Sequence, residues 1–505
     1  MHSNIATIVA PAIAFAAGRL ATSMMRRFAI TIGFVDRPDR RRKLQETPIA
    51  LGGGLAVWAA AWIGWVACLL GPAWVSADAA IEAVPAASLA VSSSLVLALG
   101  LVDDRIGMRG VKKLTGQTIA ASVLVASGLR IDSFAGFGFV FELGNMASPA
   151  TIFAIVLIIN AFNLVDGMDG FCGCLGLVAS LAVSLLSLGA GRPGDAVLGL
   201  ALAGALAAFL LDNLPPARIY LGDAGSMTVG MMVAFLAIRA CADGGGGAVS
   251  LPMMASLLIL PLLDVAVAIG RRWLTGHSLF APDRGHIHHR LRNRLGSTAV
   301  ALGVGTAMAT LAAAGAVMQR AWGMGDILVG LLIVTTVVPL VGTDTFGGSE
   351  LRLLIFRLRP AVAGLLAGRG GAGAIRHECH LMGDRDWAGV WGALLREAES
   401  ADLRHIELTI DIPAAGETYH GQWSLLGARG GEPGWSIVHS LCVGDAEAGT
   451  LRIAGGIASG GARSLDILEG LLGIVEDHLR SIASDPPAAF RPLPPARRPP
   501  IALAN

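Results

Sequence analysis

The sequence has few charged residues. Only 15% of its 505 residues are charged, 54% are hydrophobic and the mean hydropathy is +0.64. A soluble domain carries about 25% charged residues and a disordered chain is polar, so this composition excludes both classes and indicates a membrane protein. The 38 basic and 37 acidic side chains give a net charge of +1, which provides no general attraction for nucleic acid.

Cysteine and lysine are also scarce. The six cysteines are scattered, and the one close pair, Cys172 and Cys174, lacks the usual spacing of a metal or redox motif. We therefore expect free thiols in a reducing compartment. The three lysines, Lys43, Lys112 and Lys113, fall in two loops. A compact ammonium suits phosphate binding, although chance placement in basic loops explains this pattern nearly as well.

Long apolar runs fill residues 1–345. Eleven of them can cross about 30 Å of hydrocarbon, alone or against protein neighbours. The first run is predicted to be a transmembrane helix and not a cleaved signal peptide, because its basic residues follow the apolar run and do not precede it. We predict an all-α polytopic membrane domain with about eleven transmembrane helices. The runs lie near 4–20, 52–71, 87–102, 115–129, 150–165, 172–190, 196–211, 226–241, 250–270, 299–318 and 325–342.

Basic residues alternate between the connecting loops. The loops after odd-numbered spans carry 18 Lys and Arg, against 4 in the loops after even-numbered spans. The positive-inside rule then places the odd loops in the cytoplasm, the N-terminus outside and the C-terminus inside.

The composition changes after residue 345. We predict an amphipathic linker over 346–374, a cytoplasmic α+β domain with an antiparallel sheet over 375–484, and a disordered tail rich in Pro and Arg over 485–505. The role of the 375–484 domain stays open between regulation, dimer contact and recruitment of a later enzyme. Its predicted helices are 387–399 and 464–482, its predicted strands are 404–412, 420–426, 434–442 and 449–455, and its predicted core includes Trp387, Trp391, Trp423 and Trp435.

Acidic residues gather at the cytoplasmic ends of three predicted spans. Asp103 and Asp104 end the third span, Asp166 and Asp169 end the fifth, and Asp223 begins the eighth. Charges at the rim of the bilayer are costly unless they pair, hydrate or bind a cation. The alternative is that each Asp caps its own loop, but five converging carboxylates favour a functional site.

Such a carboxylate cluster suits a hard divalent cation. Magnesium takes oxygen ligands and is usually held by one or two carboxylates together with water and substrate phosphates; manganese is the alternative ion. Asp223 lies in the glycine-containing segment 221–226, where the following helix offers free N–H groups to an anion. The pattern therefore predicts a magnesium site and a phosphorylated substrate.

A basic, histidine-rich loop follows the ninth span. It places His286, His288 and His289 within four residues and lies near Arg271 and Arg272. Imidazoles that donate hydrogen bonds suit a diphosphate leaving group. A surface for anionic lipid is an equal alternative for the two arginines, and a zinc site is a weaker alternative for the histidines.

Together these motifs resemble one enzyme family, the polyprenyl-phosphate N-acetylhexosamine-1-phosphate transferases of glycosyltransferase family 4, over about residues 5–345. The resemblance implies ten or eleven transmembrane helices in a bacterial inner membrane and an active site open to the cytoplasm. The matching motifs are Asp36-Arg-Pro38 with Arg42-Lys43 and Gly52-Gly53, Asp103-Asp104 with Lys113 and Gln117, Asn160 to Gly170, Asn213 with Pro215-Pro216-Ala217, Gly222 to Ser226, and His286 to Leu291.

The resemblance also implies an activity. Family members transfer a sugar 1-phosphate from a UDP-activated amino sugar to undecaprenyl phosphate, release UMP and require magnesium. The His-Ile-His-His-Arg-Leu loop resembles the branch that uses UDP-N-acetylglucosamine to begin O-antigen, teichoic acid or exopolysaccharide. Direct attack by the lipid phosphate and a two-step path through an aspartyl-phosphate are both open.

The same resemblance implies roles for the acidic residues and for Lys113 in binding the metal and the lipid phosphate. Asp223 resembles the magnesium ligand. Asp103, supported by Asp104, resembles the carboxylate that positions or deprotonates the lipid phosphate, and Lys113 would contact that phosphate. The resemblance also implies that Asp166 is a catalytic residue, together with Asp103 and Asp104.

The remaining positions would bind the nucleotide sugar. Asn163 and Asp166 would line the diphosphate and ribose region, and Asp169, Asn213 and Tyr220 would form the uracil pocket, with the Tyr220 ring stacked on the base. The loop residues that would hold the diphosphate and stabilise the departing UMP are His286, His288, His289 and Arg290.

Two positions depart from the family pattern. Gln45 stands where His is frequent and Ala50 where Pro is frequent, a difference that bears on the choice of donor sugar more than on the reaction type. The alternatives are another UDP N-acetylhexosamine or UDP-N-acetylmuramoyl-pentapeptide as donor, and a secondary transporter with a cytosolic regulatory domain. Undecaprenyl phosphate, a UDP-amino sugar and membrane lipid are the expected partners, and the sequence leaves a homodimer open.

Overall fold

The computed structural model divides into two compact units, Met1–Gly348 and Ser349–Asn505. The predicted linker lies largely outside the described residues, and the predicted tail lies wholly outside them. The described residues are 2–36, 48–70, 77–242, 247–275, 285–323, 325–343, 345–348, 351, 355, 373–382, 385–400, 403–412, 417–426, 435–443, 446–455 and 462–484.

The described part of the first unit is built from helices. They are α1 (His2–Thr31), α2 (Gly53–Leu69), α3 (Ala77–Ile106), α4 (Gly110–Ala126), α5 (Ala147–Val165), α6 (Phe171–Gly189), α7 (Pro193–Asn213), α8 (Gly222–Cys241), α9 (Leu251–Leu257), α10 (Ile259–Thr275), α11 (Ile287–Leu295), α12 (Thr298–Trp322) and α13 (Asp326–Gly342). Five short strands join them, namely β1 (Val35–Asp36), β2 (Ile49–Ala50), β3 (Ser133–Gly136), β4 (Phe139–Glu142) and β5 (Ala248–Ser250).

The helical membrane fold is confirmed, but the count of eleven spans is not. Within the described residues, seven helices are long and apolar enough to cross a bilayer. Helices α9 and α10 form an eighth span only if they are taken together, because the chain bends by 90° between them. Helices α2 and α13 are apolar but have 17 residues each, and this length of about 26 Å is shorter than the hydrocarbon core.

Helix α8 lies at the centre of the first unit. Its apolar window is 94% buried, the highest fraction among the candidate spans, and it packs on α2, α3, α5 and α6. Glycine permits the closest approaches. A Cβ on Gly100 of α3 would lie 2.2 Å from the Ala224 Cα, and a Cβ on Gly54 of α2 would lie 2.2 Å from the Gly225 Cα. Two helix backbones therefore hold the N-terminal turn of α8.

Within the described residues between 373 and 484, the second unit has one antiparallel sheet and two helices. The strands β6 (Gly373–Met382), β7 (Leu403–Ile412), β8 (Glu417–Leu426), β9 (Trp435–Val443) and β10 (Ala446–Gly455) pair in the order β6-β8-β7-β10-β9. The helices are α14 (Trp387–Ser400) and α15 (Ala462–Ser484). The four predicted strands and two predicted helices are confirmed, and β6 was not predicted.

The core of the second unit lies between the sheet and its helices. Trp387, Trp391 and Trp423 are buried, and Trp435 packs against the same core. Strand β7 alternates between buried apolar residues and partly exposed polar ones, the pattern of a sheet with one covered face. The predicted tryptophan core is therefore confirmed.

Gly100→Val tests the close packing that positions α8. Its side chain would meet the α8 backbone, so we expect unfolding at a lower temperature, with a loss of about 1–3 kcal/mol or more. Gly303→Val is the matched control, because no atom lies within 4 Å of a Cβ on that helical glycine. Thermal unfolding in detergent measures both variants. Equal stability of the two would contradict the packing account.

Candidate active site

The carboxylate of Asp104 caps α8 from a neighbouring helix. Its Oδ1 accepts a hydrogen bond from the Asp223 backbone N–H at 2.8 Å, and its Oδ2 accepts one from Ala224 at 3.2 Å. The first N–H groups of a helix have no partner within the helix, and a negative charge there also favours the helix dipole. Asp104 thereby joins the end of α3 to the start of α8.

Lys113 of α4 lies between two further carboxylates. Its Nζ forms ion pairs with Asp103 and, at 2.7 Å, with the Asp223 Oδ2. Asp103 also accepts a hydrogen bond from the Met108 N–H at 2.5 Å. Burial alone would lower the pKa of Lys113, but the carboxylates of Asp223 and Asp103 outweigh it and raise that pKa above its ordinary value. The ammonium is therefore a permanent charge in the cluster.

Asn163 connects α5 to the same carboxylate. Its Nδ2 donates to the Asp223 Oδ1 at 2.7 Å and lies 3.0 Å from the Ser226 Oγ. One turn earlier, the Asn160 Nδ2 donates to the buried Gln117 Oε1 at 2.7 Å. Asp223 is consequently held on both oxygens, by an ammonium on one and an amide on the other.

Asp166 follows α5 directly and differs from the other acids in its contacts. Among the described residues, its carboxylate has no hydrogen-bond or ion-pair partner. Burial raises the pKa of Asp166 well above its usual value, and the nearby charges of Asp223, Asp104 and Asp169 raise it further. This crowded carboxyl group is therefore available as a ligand for a cation.

Asp169 and Asn213 fix the loop between α7 and α8. The Asp169 Oδ2 accepts from the Ala217 N–H at 2.9 Å. The Asn213 Oδ1 accepts from the Gly170 N–H at 3.1 Å, while its Nδ2 donates to the Ile219 carbonyl at 2.8 Å. The side chain of Asn213 is buried and engaged at both ends, so its observed role is to shape the loop.

Tyr220 ends this loop beside β2. Its N–H donates to the Ala50 carbonyl at 2.8 Å, and its own carbonyl accepts from the Gly53 N–H at 3.0 Å. Burial raises the pKa of the Tyr220 phenol, and the charges of Asp169, Asp36 and Asp166 raise it further. The phenol therefore stays protonated and lies near the acidic residues.

The histidine loop is anchored by Asp264, a fully buried residue of α10. Its Oδ2 lies 3.0 Å from the His286 Nδ1, and its Oδ1 accepts from the Ile287 N–H at 2.8 Å. Asp264 was not among the predicted site residues, although an acidic residue inside an apolar span is the signal that identifies it. Asp264 thus fixes both the His286 ring and the start of α11.

His288 connects the histidine loop to the acidic cluster. A Cβ on Gly167 would lie 2.1 Å from its Nε2, so the imidazole rests on the backbone between Asp166 and Asp169. The ring is buried, and neither nitrogen has a hydrogen-bond partner among the described residues. Burial lowers the pKa of His288 well below its usual value, and neighbouring histidines and Arg292 lower it further.

The other loop residues lie on the first turn of α11. The His289 ring centroid is 4.2 Å from that of His288, and the Arg290 N–H donates to the His286 carbonyl at 3.1 Å. Asp283, Arg284, the segment from Arg37 to Lys43 and Gln45 lie outside the described residues. The structure therefore groups the predicted acids, Asn163 and Lys113, and brings His288 to their edge.

Comparison with known proteins places the chain in a family. The sequence profile named glycosyl transferase family 4 matches residues 86–241. A decaprenyl-phosphate N-acetylglucosaminephosphotransferase of Mycolicibacterium smegmatis is 34% identical over 366 residues, which cover 65% of this chain and 87% of the relative. The chain belongs to glycosyl transferase family 4. It is therefore an enzyme, a transferase.

Two further relatives of this family-4 enzyme carry related names. A probable undecaprenyl-phosphate N-acetylglucosaminyl 1-phosphate transferase of Bacillus subtilis is 32% identical, over 54% of this chain and 73% of the relative. An undecaprenyl-phosphate alpha-N-acetylglucosaminyl 1-phosphate transferase of Escherichia coli is 29% identical, over 52% of this chain and 70% of the relative. The profile match spans α4, α5 and α8, and thus the whole acidic cluster.

The donor set of the family-4 site suits magnesium. Two carboxylates, those of Asp103 and Asp223, pair with Lys113, and Asp166 lacks a protein partner among the described residues. No three His, Cys, Asp or Glu side chains of the described chain form a complete ligand set. Magnesium does not require such a set of three protein ligands, because it keeps several waters and binds one or two carboxylates together with substrate phosphates.

Asp104→Ala tests the cap on α8. The variant loses both acceptors for the Asp223 and Ala224 N–H groups, so we expect a stability loss of about 1–2 kcal/mol. Asp104→Asn keeps one acceptor oxygen and should lose less. Thermal unfolding without substrate measures both, and an alanine variant as stable as the asparagine variant would show that the cap contributes nothing.

His288 predicts a pH dependence of stability. Its pKa in the fold lies below the unfolded value of about 6.5, so the unfolded chain takes up the proton first as the pH falls. Stability should therefore decline below about pH 6.5, by up to about 1.4 kcal/mol per pH unit. In His288→Gln this decline should shrink, whereas His289→Gln should keep it. Unfolding scans from pH 8 to pH 5 measure the slopes, and identical slopes in all three proteins would refute the assignment.

Proposed function

We propose that the protein transfers N-acetylglucosamine 1-phosphate from UDP-N-acetylglucosamine to undecaprenyl phosphate. UMP is released, and the lipid-linked sugar diphosphate begins a cell-envelope polysaccharide such as O-antigen or an exopolysaccharide. The names of the relatives support this substrate pair. The observation that carries the proposal is the Lys113 ammonium between Asp103 and Asp223 at the N-terminus of α8, because it combines a phosphate-binding cation with the carboxylates of a metal site.

In the proposed reaction, an oxygen of the lipid phosphate attacks the β-phosphorus of the nucleotide sugar in line. The new P–O bond forms as the bond to the UMP phosphate breaks, and the electron pair of that bond leaves with UMP. Such phosphoryl transfer depends mainly on positioning and charge stabilisation. Lys113 would bind the lipid phosphate. Asp103 would orient that phosphate or accept its proton, and Asp104 would support Asp103 by fixing the first turn of α8.

The other residues would act on the nucleotide. Asp166 and Asn163 lie where α5 ends, so we assign them to the diphosphate and ribose. Asp169 and Asn213 would act through the loop that they hold, and Tyr220 at its end would stack on uracil.

The histidine loop would receive the leaving group. His288 is neutral and without a partner in the described structure, so an arriving diphosphate would supply a partner and favour its protonated form. His286, fixed by Asp264, and His289 and Arg290 on the same turn would stabilise the charge that builds on UMP.

Asp223 and Asp166 are the residues that would hold magnesium, or manganese in its place. The ion would neutralise charge on the transferring phosphate. Direct transfer and a two-step path through an aspartyl-phosphate both agree with these contacts, because Lys113 engages Asp103 and Asp223, whereas Asp166 has no partner among the described residues and could serve as a nucleophile.

The proposed location is a bacterial inner membrane, with the N-terminus outside and both the site and the 375–484 domain in the cytoplasm. The loop charges support this orientation. Another UDP N-acetylhexosamine or UDP-N-acetylmuramoyl-pentapeptide is the alternative donor. Membership of a transferase family sets the transporter aside, and the comparisons give the homodimer no support.

UMP release by the purified chain tests the proposal. With undecaprenyl phosphate, UDP-N-acetylglucosamine and magnesium present, we expect release that stops when lipid or metal is omitted and falls at least about 100-fold in Asp223→Asn. Gln422→Ala, on the sheet of the second unit, is the control that should keep the activity. Release only with another UDP-amino sugar would change the donor, and no release with any of them would refute the proposal.

A further inference from the structure

Three arginines converge on one buried carboxylate at the end of α7. The Arg19 Nη1 lies 2.5 Å from the Asp212 Oδ2, while Nη1 atoms of Arg26 and Arg218 lie 3.6 Å and 4.0 Å from its Oδ1. Arg19 and Arg26 are two turns apart on α1 and so share a face, and Arg218 comes from the loop before α8. We call Arg19, Arg26, Arg218 and Asp212 the arginine cluster.

The arginine cluster carries a surplus of positive charge. Three guanidinium groups face one carboxylate, and the Arg19 Nη1 also donates a hydrogen bond to the Ala208 carbonyl at 3.3 Å. Among the described residues, no atom accepts a hydrogen bond from the guanidinium groups of Arg26 and Arg218. Each guanidinium has five N–H donors, so the cluster has both charge and donors available for an anion.

The surroundings of the arginine cluster are those of a lipid boundary. On α1, the neighbouring side chains Leu20, Met24 and Phe28 are 64%, 62% and 57% exposed, an apolar face suited to acyl chains. The side chain of Arg218 is 71% exposed, so it is accessible to a headgroup. An amphipathic ligand with an anionic head and apolar tails fits both surfaces.

The arginine cluster lies at the same end of the helices as the active site but on different elements. Asp212 immediately precedes Asn213, which bonds to Gly170. However, α1 packs on α2 and α7, whereas α4, which carries Lys113, packs on α3 and α5. The cluster is therefore close to the loop between α7 and α8 and separate from Lys113, which in the proposed function would bind the lipid phosphate.

We propose that the arginine cluster binds the phosphate of an anionic phospholipid headgroup, with phosphatidylglycerol as the representative lipid. Guanidinium groups match phosphate oxygens in paired hydrogen bonds, and basic pockets between membrane helices on the cytoplasmic side bind anionic headgroups. The bound lipid would also stabilise the loop between α7 and α8, because the Arg218 N–H donates to the Asp212 carbonyl at 2.8 Å and Arg218 is two residues from Tyr220.

The test measures lipid binding and needs no enzymatic activity, so it is independent of the proposed reaction. The full chain in neutral detergent is titrated with phosphatidylglycerol or phosphatidylcholine, while native mass spectrometry counts bound lipids and thermal scans follow stability. We expect tighter binding and a higher unfolding temperature with phosphatidylglycerol only. Equal effects of the two lipids would overturn the proposal.

Matched variants locate the site. Arg26→Gln and Arg218→Gln should each weaken phosphatidylglycerol binding about five-fold, and the double variant about 25-fold. Arg27→Gln removes the same charge from the next, exposed position of α1 and should change binding less than two-fold if the site is specific. Equal losses in Arg26→Gln and Arg27→Gln would indicate diffuse surface charge and contradict a defined site.

Two competitors distinguish the source of the phosphate. Undecaprenyl phosphate at equal concentration should not displace phosphatidylglycerol, and inorganic phosphate should not reproduce the rise in unfolding temperature. Displacement by the first would assign the arginine cluster to the reaction acceptor, and stabilisation by the second would assign it to a soluble anion. Either result would overturn the phospholipid proposal.

Discussion

The ammonium of Lys113 makes it feasible to crowd carboxylates at the start of α8. Asp103 and Asp223 both pair with it, and the carboxylate of Asp104 accepts hydrogen bonds from two N–H groups at the start of the helix. Without these partners, acids at the rim of a low-dielectric region would repel one another or become neutral. Asp166, whose carboxyl group has no protein partner among the described residues, is the acid whose charge a metal ion would balance.

Helix packing brings these groups within bonding distance. Gly54 and Gly100 let α2 and α3 approach the first turn of α8 at backbone contact, and Gly167 accommodates the His288 ring in the same way. A larger side chain at any of these positions would separate charged groups that lie about 3 Å apart. The small residues of the bundle therefore position the chemistry, although none of them supplies a reacting group.

Much of this was predictable from the sequence, because apolar runs and acids at helix ends are local features. The helices and the grouping of Asp103, Asp104 and Asp223 followed from such patterns. The bend between α9 and α10, the Asp264–His286 pair and the cap by Asp104 did not, since each depends on contacts between distant segments. Strand β6 was missed because its polar residues, including His377, Glu378 and His380, lack the apolar alternation of β7.

A double-mutant cycle on Lys113 and Asp223 tests most directly whether these charges work as one unit. The rate of UMP release is compared for the wild type, Lys113→Met, Asp223→Asn and the combined variant. If the ion pair is one functional element, the combined variant should be about as slow as the slower single variant. Losses that multiply, as for two independent residues, would contradict the account.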